Sequence, residues 1–225
     1  MIISQTPYRV SFAGGGTDLP SFYEREAGAV LSVCLNQHMY VTVSPRFKAS
    51  TRIAYTKTEI VDSVDDIQHT IAREVLRITE LGKHLEITTI GDVPSGTGLG
   101  SSSSLAVGML NALYAYRGQI TSPQQLAEQA CMVEIDRLKK PIGKQDQYAA
   151  AYGSLNFMTF NPDGSVHVEP VPYKPETLRE LESRTLLLYT AQQRSADDIF
   201  SSRAQAPKRK INLIFSVRCV IWPLR

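Results

Sequence analysis

The chain has 225 residues, enough for one large domain or for one domain and part of another, and its 43% hydrophobic and 20% charged residues are ordinary for a globular enzyme. No stretch approaches the ~18 continuous apolar residues of a membrane span, and Gln5, Arg9 and Asp18 fall early at the N-terminus, which lacks a signal-peptide core, so a cytoplasmic protein with no membrane partner is expected. The net charge of +2 conceals an asymmetry, because no acidic residue follows Asp198, while Arg203, Lys208, Arg209, Lys210, Arg218 and Arg225 account for six of the 24 basic residues and leave 18 basic against 22 acidic in the remainder.

In chain order, residues 2 to 12 and 29 to 56 are rich in Val, Ile, Tyr and Thr and partly alternate, as at Tyr40 to Val43, which predicts strands joined by turns. Between Asp65 and Leu81 the apolar positions Ile67, Ile71, Val75 and Ile78 recur at helical spacing, and His84 to Ile90 returns to a strand pattern. A glycine-rich loop over 91 to 100 leads into a helix carrying Leu105, Met109, Leu110 and Leu113. Further helices are predicted from Pro123, which follows Ser122 as a first helical residue, to about Leu138, and from about Gly143 to Tyr152. Strands at 154 to 160 and 184 to 190, with a helix near 175 to 183 between them, complete a mixed α+β reading. Cys34, Cys131 and Cys219 are odd in number and far apart, with no Cys-x-x-Cys pair or histidine cluster beside them, so reduced thiols are expected and not a zinc site. His38, His69, His84 and His167 lack ligand spacing and read as core or solvent residues.

The segment from Asp92 to Ser104 lies between a predicted strand and a predicted helix, where exposed backbone N–H groups can wrap a phosphate. Its glycines permit close approach, its serines add hydroxyl donors and metal ligands, and the following helix would turn its positive end toward an anion. A glycine-rich turn kept for steric reasons alone would look similar. The Walker pattern is absent, since Gly82-Lys83 runs into His84 and Gly143-Lys144 into Gln145, and the dinucleotide pattern fails because Gly96, Gly98 and Gly100 have the wrong spacing.

The run Pro94-Ser-Gly-Thr-Gly98-Leu99-Gly100-Ser101-Ser102 resembles the Pro-x-x-x-Gly-Leu-Gly-Ser-Ser motif of the family of galactokinase, homoserine kinase, mevalonate kinase and phosphomevalonate kinase. Two further blocks agree with it. Residues 6 to 20 resemble the sugar-binding N-terminal motif of galactokinase, with Arg9, Gly14, Thr17 and Asp18 in register, and residues 143 to 147 resemble the segment bearing the catalytic aspartate. The resemblance covers roughly residues 2 to 200 and implies an N-terminal domain like the second domain of ribosomal protein S5, over 1 to 160, followed at 161 to 202 by the start of a ferredoxin-like C-terminal domain. It implies ATP and Mg2+ as cofactors and a sugar or sugar phosphate as the small-molecule substrate.

By that resemblance Pro94, Gly96, Gly98, Leu99, Gly100, Ser101, Ser102 and Ser103 would hold the nucleotide, and Ser102 and Glu134 would hold the metal. Asp146 would accept the proton of the sugar hydroxyl with Arg9 beside it, and Gly15, Gly16, Thr17 and Asp18 would bind the sugar. Galactokinase carries a Glu-His pair where this chain has Gly15-Gly16, which implies a larger acceptor site and is similar to the D-glycero-D-manno-heptose 7-phosphate kinases, which phosphorylate an anomeric hydroxyl. A fucokinase-like branch is the nearest alternative. Lys144 and Arg194 are candidates for the phosphate already on such a substrate.

Residues 203 to 225 depart from the family and hold the only Trp, so a frameshift or premature stop is expected there, with an incomplete second domain and a fragment that binds without turnover as the alternative outcome. No aromatic-basic interleaving beyond Phe215 and Trp222 favours nucleic acid as a partner of this basic tail, and a homodimer stays open.

Overall fold

One strand organises the molecule. In the computed structural model, which describes residues 1–188, β2 (Gly28–Pro45) is 18 residues long and serves three partners. Along one edge it pairs antiparallel with β1 (Ile2–Ala13). Along the other, its first part pairs with β6 (Leu155–Phe160) and its last part with β5 (Leu85–Gly91), both antiparallel. β3 (Thr51–Ala54) joins β5 in parallel and carries β4 (Thr58–Val61), while β7 (Val166–Pro170) pairs with β6, so the sheet continues past residue 160.

The pairing of β1 with β2 skips between Pro7, opposite His38, and Arg9, opposite Cys34. Three residues of β2 thus face one of β1, a bulge of the kind that re-aims a neighbouring side chain. Arg9 follows the bulge, back in register with Cys34, and its backbone N–H donates to Leu99 O at 3.1 Å.

Helices cover one face. α3 (Ser101–Tyr116) lies against β1 and β2, with α2 (Thr70–Thr79), α4 (Pro123–Cys131) and α5 (Gln145–Tyr152) around it. Eleven of its residues are buried, which explains why its sequence is apolar on all sides instead of amphipathic. Val41, Val43, Ile53, Ile71, Val75, Leu76, Ile87, Met109, Leu110 and Leu113 form the main core beneath it, and Tyr23, Val30, Ala127, Tyr148, Met158 and Phe160 form a second cluster under α4 and α5. The short α1 (Pro20–Tyr23) brings Tyr23 to that second cluster, and α6 (Pro175–Ser183) buries none of its residues. No helix among the described residues is long and apolar enough to cross a membrane.

The α+β class is as expected, and several details differ. The helix predicted to run unbroken to Leu138 is α-helical only to Cys131, and Met132–Arg137 is wound as a π-helix, a form common at functional sites. Leucine-rich residues 184 to 188 form no strand, and the rest of that predicted strand, with Arg194, Cys219 and the basic tail, lies outside the described residues. The helix expected from Asp65 begins with a 3-10 turn, Val64–Asp66, and becomes α-helical only after His69, whose Nδ1 accepts the Ala72 N–H at 3.3 Å. Burial pushes the Cys34 thiol up to about 12 and raises that of Cys131 as well, so both free thiols are chemically quiet.

α3 approaches the sheet closely at Gly108, where an added Cβ would meet Thr6 Oγ1 at 2.6 Å and Ser4 Oγ at 3.3 Å. Replacing a helical glycine normally gains up to ~1 kcal/mol of propensity, whereas overpacking costs about 1–3 kcal/mol. Overpacking wins here because Ser4 Oγ also donates to Gly108 O at 2.7 Å and cannot withdraw freely. Gly108→Val should therefore destabilise the fold by about 1–2 kcal/mol in urea denaturation.

Candidate active site

The strand-to-helix loop is held from below by β1. Gly96, Gly98 and Gly100 have φ of 77°, 78° and 78°, in the left-handed region that glycine adopts without strain. Gly100 also sits against the catalytic candidates, since a Cβ there would be in ordinary contact with Asp146 Oδ2 at 3.4 Å and Arg9 Cγ at 3.5 Å. Arg9 Nη1 donates to Gly98 O at 2.7 Å, and Pro94 O accepts from Thr97 Oγ1 at 3.1 Å. No side chain caps the N-terminus of α3, so the N–H groups of its first turn, at Ser101 to Ser103, remain available to an anion.

Arg9 joins this loop to the start of α5. Its Nε and Nη2 lie 2.7 Å and 2.5 Å from Asp146 Oδ1, and both side chains are mostly sheltered from solvent. All of that donation goes to one carboxylate oxygen. Oδ2 has no donor among the described residues and faces Gly100, where it can accept a proton or a hydroxyl hydrogen.

A second constellation surrounds Glu134, which the π-turn directs inward and which is fully buried. Its Oε1 accepts from Ser102 Oγ at 2.5 Å and from Lys140 Nζ at 2.9 Å, and its Oε2 accepts from Ser103 Oγ at 2.6 Å and from Gln147 Nε2 at 2.7 Å. Lys140 Nζ also donates to Ser102 Oγ at 2.6 Å. Gln147 Oε1 is buried beside them with no hydrogen-bond partner among the described residues. Four donors on one buried carboxylate are what burying its charge requires.

The third constellation is Asp18, at 2% exposure. It accepts from Gly16 N at 3.0 Å, Gln145 N at 3.1 Å and Gln145 Nε2 at 3.2 Å, and Gln145 Oε1 in turn accepts from Ser11 Oγ at 2.6 Å. The loop before it is tied to β2 by Thr17 Oγ1, whose single proton lies within reach of both Gly14 O and Ala29 O and which accepts from Ala29 N. Gly15 and Gly16 belong to the turn so fixed. An added Cβ at Gly143 would fall 1.9 Å from Asp18 Oδ2, so glycine at 143 is what allows the carboxylate to reach α5.

The structure thus brings Arg9, Asp146 and the 96–103 loop together, and Ser102 with Glu134. It sets Asp18 against the first turn of α5. Lys144 is turned elsewhere, with Nζ donating to Gly164 O at 2.7 Å and lying 5.0 Å from the Tyr23 ring centroid. Arg194 lies outside the described residues. Sequence reasoning missed Lys140 and the structural uses of Ser11, Gln145 and Gln147. Lys140 follows Glu134 by six residues, a spacing that faces no helical neighbour, and its approach depends on Lys139 at φ 53°, which turns the chain so that Lys140 N–H returns to Glu134 O.

Known proteins resemble the chain in sequence and in fold. Residues 67–154 match the family model of the GHMP kinases N terminal domain. The chain is 33% identical over 210 residues to the D-glycero-alpha-D-manno-heptose 7-phosphate kinase of Campylobacter jejuni, covering 88% of this chain and 62% of that protein. The fold superimposes with a TM-score of 0.76 on a D-glycero-D-manno-heptose 1-phosphate kinase from Bacteroides thetaiotaomicron, at 29% identity over 82% of this chain and 64% of that one. A bifunctional fucokinase/GDP-fucose pyrophosphorylase of Arabidopsis thaliana is 23% identical over 94% of this chain and 22% of its own. The chain therefore spans less than two thirds of the length of each of these relatives.

Burial raises the carboxyl of Asp18 above its ordinary value of 3.8, Gln145 N–H opposes that rise, and the nearby Asp146 adds to it. A raised folded-state value means that the contribution of Asp18 to stability is fully present below 3.8 and is lost as pH rises through the folded value. The stability of the wild type relative to Asp18→Asn should accordingly decline as pH rises from about 3 toward neutrality, in denaturant titrations of both proteins across that range.

Proposed function

We propose that this chain, whose residues 67–154 are a GHMP kinase N-terminal domain, is an ATP-dependent sugar kinase that phosphorylates the anomeric hydroxyl of a heptose 7-phosphate. The observation that carries the reading is the placement of the Arg9–Asp146 pair directly beneath the glycine-serine loop. Phosphoryl transfer asks for positioning and charge neutralisation, and these residues offer an anion cradle beside a carboxylate.

In this reading the N–H groups at the start of α3 hold the nucleotide phosphates, with the helix dipole aligned to them. Asp146 presents Oδ2 to the acceptor hydroxyl and takes its proton, while Arg9 holds the carboxylate in place through Oδ1 and offers positive charge near the transferring group. The loop at 14–18 and Gln145 shape the acceptor side, with Asp18 fixing both. Gly15 and Gly16 leave room there for a long sugar.

The donor set suits Mg2+, which takes one or two carboxylates together with substrate phosphates and water and needs no larger protein cage. Among the described residues there is no group of three His, Cys, Asp or Glu side chains. Ser102 and Glu134 do converge at 2.5 Å at the N-terminus of α3, and an ammonium cation already rests on both. Bound there with ATP, the cation would neutralise charge on the phosphates.

Two measurements test the proposal. Asp146→Asn should lower magnesium-dependent ADP release by about 10²- to 10⁴-fold while the protein keeps its melting temperature. In a panel of free sugars and sugar phosphates, a heptose 7-phosphate should be the preferred acceptor. Turnover of fucose alone would favour the fucokinase-like reading, and turnover of free galactose alone would overturn the heptose assignment.

A further inference from the structure

Lys140 has no part in the reaction as described, yet it occupies the most charged point of the buried cluster. Its ammonium lies 2.6 Å from Ser102 Oγ and 2.9 Å from Glu134 Oε1, the two atoms assigned above to the divalent cation. Its side chain is 19% exposed, against none for Glu134, so it closes the cluster from the solvent side. The chain goes to some trouble to bring it there. Lys139 adopts φ 53°, a conformation that costs a non-glycine residue on the order of 1 kcal/mol or more, and Lys140 N–H then donates to Glu134 O at 3.0 Å. The lysine on whose ammonium this depends is thus fixed at both backbone and side chain to the residue it neutralises.

Resting on the kinase reading above, we propose that Lys140 is an exchange cation: it occupies Ser102 and Glu134 when no divalent cation is bound and yields both when one binds. A carboxylate buried without a counter-charge is strongly unfavourable, so a site made of Glu134, Ser102, Ser103 and Gln147 alone would either distort or hold metal permanently. Lys140 prevents both. It keeps the ligand atoms converged, and it sets a competitive cost on metal binding that Mg2+ meets fully only with the phosphates of a nucleotide as additional ligands. The metal would then enter with the nucleotide instead of remaining resident. A lysine suits this exchange, since its flexible stem lets a single point charge swing toward solvent.

A purely architectural lysine predicts the opposite sign for one measurement. If Lys140 only braces the π-turn, removing it disorders Glu134 and weakens metal binding. If it competes, removing it strengthens metal binding. The test is Mn2+ affinity of the full chain without nucleotide, by electron paramagnetic resonance or calorimetry, for wild type, Lys140→Met, Lys140→Gln, Lys140→Arg and Glu134→Gln. Loss of a charged hydrogen bond worth about 1.5–3 kcal/mol corresponds to Mn2+ binding about ten- to a hundredfold tighter in the Met and Gln variants, with Arg near wild type. The Gln variant keeps a neutral donor for Glu134 and serves if the Met variant does not fold, which circular dichroism establishes for each.

Tighter binding in either folded neutral variant supports the exchange. Equal or weaker binding in both, with wild-type binding lost in Glu134→Gln, overturns it and leaves the kinase reading standing. Mn2+ binding indifferent to Glu134→Gln overturns the metal site itself, and with it the exchange. Absence of ATP turnover in a chain that still shows the tightening would count against the kinase reading alone.

Discussion

The buried carboxylate of Glu134 is the constraint to which the rest of the site conforms. A charge with no solvent exposure must find its donors within the protein. Glu134 finds them on three separate elements, at Ser102 and Ser103 on α3, Gln147 on α5 and Lys140 in the segment between the π-turn and α5. Meeting that demand fixes where α3 begins, how far α5 stands from it and why the chain abandons α-helical winding after Cys131. The extra residue per turn in a π-helix changes the direction of a side chain without ending the helix. The same demand gives the N-terminal end of α3 a fixed direction.

The long strand β2 supplies the complementary half of the site. It holds β1 along its length, and just past the bulge at Tyr8 it keeps Arg9 in register with Cys34, with the Arg9 N–H on Leu99 O of the loop. From there Arg9 reaches Gly98 O and Asp146 Oδ1 together, so the strand-to-helix loop and the first turn of α5 share one guanidinium. Fork geometry makes arginine the residue for such a double task, since a lysine could not hold a carboxylate and a carbonyl in one plane.

Much of this was legible in sequence because the information was local. The loop was recognisable from three glycines and a serine run, the sheet from alternation around Tyr40 to Val43, and the nearness of Arg9 to Asp146 from short blocks that each resemble a known family. Geometry that depends on winding was not legible. The stretch from Pro123 to Leu138 reads as one helix because the π-turn, Met132–Arg137, is too short for a change of period to show in the apolar pattern. The approach of Lys140 to Glu134 rests on a left-handed lysine, which no side-chain pattern announces. β4 and β7, of four and five residues, fell below the length at which alternation is persuasive. The leucines at 186 to 188 read as a strand on composition alone, and among the described residues none pairs with them in a ladder.

The close approach of Gly143 to Asp18 has a consequence for how such proteins change over evolutionary time. Because one carboxylate secures both the 14–18 loop and the backbone of Gln145, that loop and the turn carrying Asp146 are mechanically a single part. A lineage that altered this loop would displace Asp146 in the same step. Under the proposed function, new acceptors should therefore arise through residues outside the latch, and the loop, its aspartate and its facing glycine should be inherited or replaced as a block.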